Sequence, residues 1–91
     1  MTIRESSIER KAMCWAEVQG AITLKIEAKK GWPDRIVIKP NGVVMFVEFK
    51  APGRKPNPLQ AYVLQMLRQQ RVKAYWVSSL KEFKFIYEKE Y

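Results

Sequence analysis

The sequence predicts a mixed α/β domain built around one sheet, and three patterns carry that expectation. Apolar residues at helical spacing open the chain, and three short strand-like runs follow with only turns between them. A second helical stretch then separates those runs from a last strand and a terminal helix. At 91 residues the chain has room for one core, and so for a single domain spanning 1–91.

From Arg4 to Gln19, Ile8, Ala12, Trp15, Ala16 and Gln19 recur at helical spacing, with Ser6 or Ser7 available as a cap and Gly20 as a stop. Ala21 to Ala28 alternates, Ile22, Leu24 and Ile26 against Thr23, Lys25 and Glu27, which is the period of a half-buried strand. After a turn through Lys29, Lys30, Gly31 and Trp32, the run Arg35 to Lys39 is rich in β-branched residues. Pro40-Asn41-Gly42 is a hairpin signal, and Val43 to Lys50 forms the third strand of an antiparallel meander. Ala51 to Pro58 is a loop, and Asn57-Pro58 starts a helix whose stripe is Leu59, Tyr62, Val63, Met66 and Leu67, ending near Arg71. Lys73 to Ser78 is a last buried strand, which the long helical connection allows to lie parallel to a neighbour. Ser79 with Glu82 makes a capping box for the terminal helix.

Composition narrows the chemistry. Seventeen Lys and Arg against nine Asp and Glu give a charge of +8, a field that attracts polyanions and makes nucleic acid the first partner to consider. With no His and one Cys, the ligands usual for zinc, copper and iron–sulfur clusters are missing, as are Ser-His and Cys-His nucleophile pairs. Any catalytic metal must be held by oxygen. Cys14 cannot form an internal disulfide, no charged-then-apolar leader opens the chain, and no apolar run reaches membrane-spanning length. A cytoplasmic protein without membrane contact is expected.

Glu48 and Lys50 lie two apart in the third strand and leave the same face as Phe46, while Val47 and Phe49 are apolar on the other. Alone, this is most simply an ion pair at a strand end. Pro33-Asp34, fourteen positions before Glu48, changes that reading, because folding the Asn41-Gly42 hairpin brings Asp34 to the same end of the sheet. Two carboxylates and a lysine suit phosphodiester cleavage: Asp34 and Glu48 would hold Mg²⁺ or Mn²⁺, and Lys50 would orient the nucleophile and stabilise developing charge. On the first helix Glu9 falls on the apolar stripe, where it either binds metal or pairs with Lys50 or an arginine at the core's edge. Glu5, at the stripe's margin, is expected to be solvated. Lys29, Lys30, Arg35, Arg54 and Lys55 lie in or near the loops flanking the site, as positioning contacts for DNA phosphates. Gln60, in the first turn of the second helix, can reach toward the sheet end.

Gly31-Trp32-Pro33-Asp34, Val47-Glu48-Phe49-Lys50 and Pro58-Leu59-Gln60 together resemble the VRR-Nuc branch of the PD-(D/E)xK nucleases over nearly the whole chain. The resemblance implies a restriction-endonuclease-like core and Mg²⁺- or Mn²⁺-dependent DNA endonuclease activity. It places the family's helix-one acid on Glu9, its aspartate on Asp34, its Glu-x-Lys on Glu48 and Lys50 and its glutamine on Gln60, with Phe49 among the metal-binding positions. Small free-standing members of the family resemble junction resolvases in acting as dimers. A homodimer acting on branched or four-way junction DNA is therefore expected, in the virus-type branch of the family and so possible in a virus-infected cell. Phe83, Phe85, Ile86, Tyr87 and Tyr91 of the terminal helix are candidates for its interface. The chain departs from the family at Gln69-Gln70-Arg71-Val72, where a glycine is common; a left-handed residue there costs about 1 kcal/mol. The main rival is a non-catalytic basic DNA-binding module.

Overall fold

The computed structural model describes residues 2–27 and 29–90. Its elements are α1 (Glu5–Val18), β1 (Ile22–Lys25), β2 (Arg35–Ile38), β3 (Val44–Phe49), α2 (Pro58–Gln69), β4 (Lys73–Val77) and α3 (Leu80–Lys89), the order expected from the sequence. Ala28 and Tyr91 lie outside the described residues. The strands form one sheet in the order β1-β2-β3-β4, with β1, β2 and β3 antiparallel in turn and β4 parallel to β3. The β2–β3 hairpin closes through Pro40, Asn41 and Gly42. Gly42 takes φ 88°, and its N–H donates to the Lys39 carbonyl at 2.9 Å.

Strand alternation sends Val37, Met45, Val47 and Phe49 to one face of the sheet. There they pack with Ile8, Ala12, Met13 and Ala16 of α1 and with Phe83, Ile86 and Tyr87 of α3. Phe46 and Ala74 face the other way, toward Val63, Leu64 and Leu67 of α2. β3 is thus covered on both faces, which is why a carboxylate at its end sits in a dry environment.

Four expectations are corrected. The apolar face of β1 is not buried: Ile22 is 59% and Leu24 50% exposed, because α2 stands over β3 and β4 and leaves β1 uncovered. Phe83, Ile86 and Tyr87 belong to the core, packed around Trp15, so only Phe85 of the described α3 aromatics is solvent-facing. Neither Ser6 nor Ser7 caps α1. Its N-cap is Arg4, which makes no side-chain cap bond. At α3, Ser79 accepts from the Glu82 N–H, but the Glu82 carboxylate reaches back to Ser78 rather than to Ser79. Among the described residues no helix is long and apolar enough to cross a membrane.

α1 and α2 end in the same hydrogen-bond pattern. After α1, Gly20 N–H donates to the Glu17 carbonyl and Ala21 N–H to that of Ala16; after α2, Arg71 N–H donates to Arg68 and Val72 N–H to Leu67. This double bond closes a helix through one left-handed residue. At α1 that residue is glycine, Gly20 at φ 93°, and at α2 it is Arg71 at φ 64°. The absence of glycine in the 69–72 connection therefore has the consequence expected for it. Arg71→Gly should stabilise the fold by roughly 0.5–1 kcal/mol, the Cβ penalty less the extra freedom glycine gives the unfolded chain. Thermal unfolding checks this, and a lowered midpoint would contradict it.

Candidate active site

The site forms where β2 begins and β3 ends. The register pairs Arg35 with Val47, which sets Asp34 beside the last residues of β3. The Phe49 N–H donates to Asp34 Oδ2 at 2.8 Å, and the Asp34 carbonyl accepts from the Ile26 N–H at 2.8 Å, so the aspartate is tied to both neighbouring strands. The Phe49 side chain is buried in the core, and what this position offers the site is its backbone. Gly31 takes φ 87°, and a Cβ there would lie 2.5 Å from Leu59 Cγ. The Gly31-Trp32-Pro33-Asp34 segment thus rests directly on the first turn of α2, and the three motifs read from the sequence meet in space.

Gln60 has two tasks. Its N–H donates to Asn57 Oδ1 and its Oε1 accepts from the Asn57 N–H, both at 2.9 Å, which makes a reciprocal cap for α2. With the amide oxygen so held, the amide nitrogen is turned to Glu48 and donates to Oε2 at 3.0 Å. Lys50 Nζ lies 3.5 Å from the same oxygen. Among the described residues no protein donor reaches the second oxygen of either Glu48 or Asp34, so each carboxylate is fixed on one side and open on the other.

The acid that the structure groups with Asp34 and Glu48 is Glu5. Carboxylate oxygens of Glu5, Asp34 and Glu48 lie within 4.8 Å of one another. Glu9, one turn further along α1, instead accepts from Arg35 Nε at 2.6 Å. Pairing with an arginine at the core's edge was one of the two explanations open for Glu9. Glu5 is half-buried rather than solvated. The helical period puts both residues on one face, and the sequence could not say which of the two turns abuts the sheet end.

The electrostatics reflect this crowding. Burial, and then the Asp34 charge, push Glu48 up to about 7 despite Lys50. Burial also raises Asp34, against the opposing Phe49 N–H, and raises Glu5. Glu90, at the opposite end of the sheet, is a useful contrast. Less deeply buried than Glu48, it accepts from the Tyr75 hydroxyl and pairs with Lys73 at 2.9 Å, and these partners lower its pKa. Glu90 is a compensated structural acid, whereas the Glu48 cluster sets three carboxylates against the single cation of Lys50.

Of the expected phosphate contacts, Arg35 is occupied by Glu9. Lys29, Lys30, Arg54 and Lys55 are exposed, with no carboxylate partner among the described residues. Three converging carboxylates with free oxygens and no nitrogen or sulfur donor fit a hard divalent cation.

A carboxyl whose pKa rises on folding contributes stability that is fully present below its unfolded value, 4.5 for Glu48, and lost as pH rises through about 7. In the absence of divalent ions, Glu48→Gln should therefore gain in thermal midpoint over the unsubstituted protein as pH rises across that window. Parallel pH profiles for the two proteins would contradict this.

No family model matches the chain. Over 60 residues it is 47% identical to "Putative nuclease p44" of Acyrthosiphon pisum secondary endosymbiont phage 1, a match covering 64% of each sequence. A solved structure described as a VRR_NUC domain superposes with a TM-score of 0.83 at 31% identity, covering 96% of this chain and 97% of that one. The motifs, the meander with its parallel fourth strand, and this near-complete superposition agree, and the chain belongs to the VRR-Nuc family.

Proposed function

We propose that the protein is a metal-dependent endonuclease that hydrolyses phosphodiester bonds in DNA. The observation that carries this reading is the convergence of Glu5, Asp34 and Glu48 on the single cation of Lys50, in a chain of charge +8. Asp34, Glu48 and Glu5 would hold Mg²⁺ or Mn²⁺, with Phe49 contributing through its backbone; such an ion polarises a phosphate oxygen and lowers the pKa of a water. Lys50 would orient the attacking water and stabilise charge developing on the phosphate. Gln60 holds Oε2 of Glu48 and leaves Oε1 without a protein donor among the described residues. Glu9 neutralises Arg35 and fixes α1 against β2, which keeps Glu5 in place. Lys29, Lys30, Arg54 and Lys55 would position the DNA.

The same proposal extends to branched or four-way DNA cut by a homodimer, since two strands require two sites and a twofold dimer supplies them. What supports the dimer is the uncovered sheet face. There Ile22 pairs with Ile38, Ile38 with Val44, and Leu24 with Ile36, an aliphatic surface without a charged residue in these rows. It replaces α3 as the candidate interface.

Incubation with linear and four-way DNA in Mg²⁺ or Mn²⁺ tests the proposal. Asp34→Ala and Glu48→Ala should abolish cleavage, and Lys50→Met should lower its rate roughly 10²- to 10³-fold while still binding metal. Undiminished cleavage by Glu48→Ala would remove the site. On a symmetric junction the cuts should come in pairs, and Leu24→Lys should give a monomer by sedimentation that makes single nicks. A parent protein that is monomeric at micromolar concentration on junction DNA would refute the dimer.

A further inference from the structure

Beside the carboxylates an open groove runs between the start of α1 and the loop joining β3 to α2. Its lining includes Arg4, Glu5, Lys50, Arg54, Lys55 and Asn57. Glu5 and Lys50 belong equally to the carboxylate site, so the groove is continuous with it. Arg4, Arg54 and Lys55 are exposed, and among the described residues none of the three forms an ion pair or a side-chain hydrogen bond. By contrast, Arg35 is compensated by Glu9, Lys73 by Glu90, and Lys39 by the carbonyls of Tyr87 and Glu90. Three like charges brought into one groove repel, and the single acid in its wall, Glu5, is turned to the carboxylate cluster. An anion seated there relieves the repulsion without competing with an existing partner.

We propose that this groove binds the DNA backbone next to the scissile phosphate, with Arg4, Arg54 and Lys55 contacting non-bridging phosphate oxygens. The inference rests on the nuclease reading for its ligand. It adds Arg4, twenty-five or more positions distant in sequence from every other site residue but Glu5 and Glu9, and assigns the three cations to one continuous track. Arg4 holds its place because it is the N-cap of α1, one residue before Glu5. The helix that carries Glu5 thus also places the Arg4 backbone beside the cluster. Guanidinium groups suit the role because they donate two parallel hydrogen bonds to a phosphate.

Fluorescence anisotropy with a labelled short DNA duplex tests the track, using Ca²⁺ in place of Mn²⁺ and a series of salt concentrations. The proteins are the parent chain, the groove variant Arg4→Ala/Arg54→Ala/Lys55→Ala, and a control of equal charge loss on α3, Lys81→Ala/Lys84→Ala/Lys89→Ala. The groove variant should bind roughly tenfold or more weakly at low salt, with the logarithmic salt slope shallower by about 2 to 3. The α3 variant should keep the parent slope to within about one. Equal losses in the two variants, or parent-like binding by the groove variant, would overturn the proposal. Cleavage of the same duplex in Mn²⁺ is scored separately. A parent protein that binds but never cuts would count against the nuclease reading, while the salt slopes would still decide the groove.

Discussion

The hydrogen bond from the Phe49 N–H to Asp34 Oδ2 is the contact on which the site depends. The β2–β3 register ends at Arg35 and Val47, so Asp34 lies beyond the last paired residue of β2. The bond at 2.8 Å closes that end, orients the aspartate, and places it beside Glu48, the residue immediately before Phe49 in the chain. Phe49 itself is anchored by its buried ring, so the core on one face of β3 sets the position of a carboxylate at the sheet's edge. Core packing and site geometry are here the same constraint.

The site gathers more negative charge than its one lysine balances. Both donors to Glu48, Gln60 and Lys50, fall on Oε2, and the Asp34 bond likewise uses one oxygen. Burial then raises all three acids, so the metal-free fold bears an electrostatic cost that a divalent ion would offset. The capped turn of α2 completes the arrangement, since the bonds that satisfy its first amides also fix the amide of Gln60.

Most of the fold was legible in the sequence because the strand and helix periods are clear and Gly20, Asn41-Gly42 and Asn57-Pro58 mark the boundaries. Asp34, Glu48, Lys50 and Gln60 were legible as a group because their motifs are local, and the hairpin register alone brings two of them together. What could not be read was set by rigid-body placement. Which turn of α1 meets the sheet end decides between Glu5 and Glu9, and where α2 settles decides that Ile22 and Leu24 stay uncovered. The length of α3 on the core decides that Phe83, Ile86 and Tyr87 are buried. Period and propensity describe elements singly and are silent on how far one slides over another.

The central claim is that Glu5, Asp34 and Glu48 form one cation site. Anomalous scattering from Mn²⁺-soaked crystals tests it most directly. The account predicts a peak bounded by these three carboxylates, with Glu9 still on Arg35. A peak coordinated by Glu9 in place of Glu5, or none at the end of β3, would contradict it.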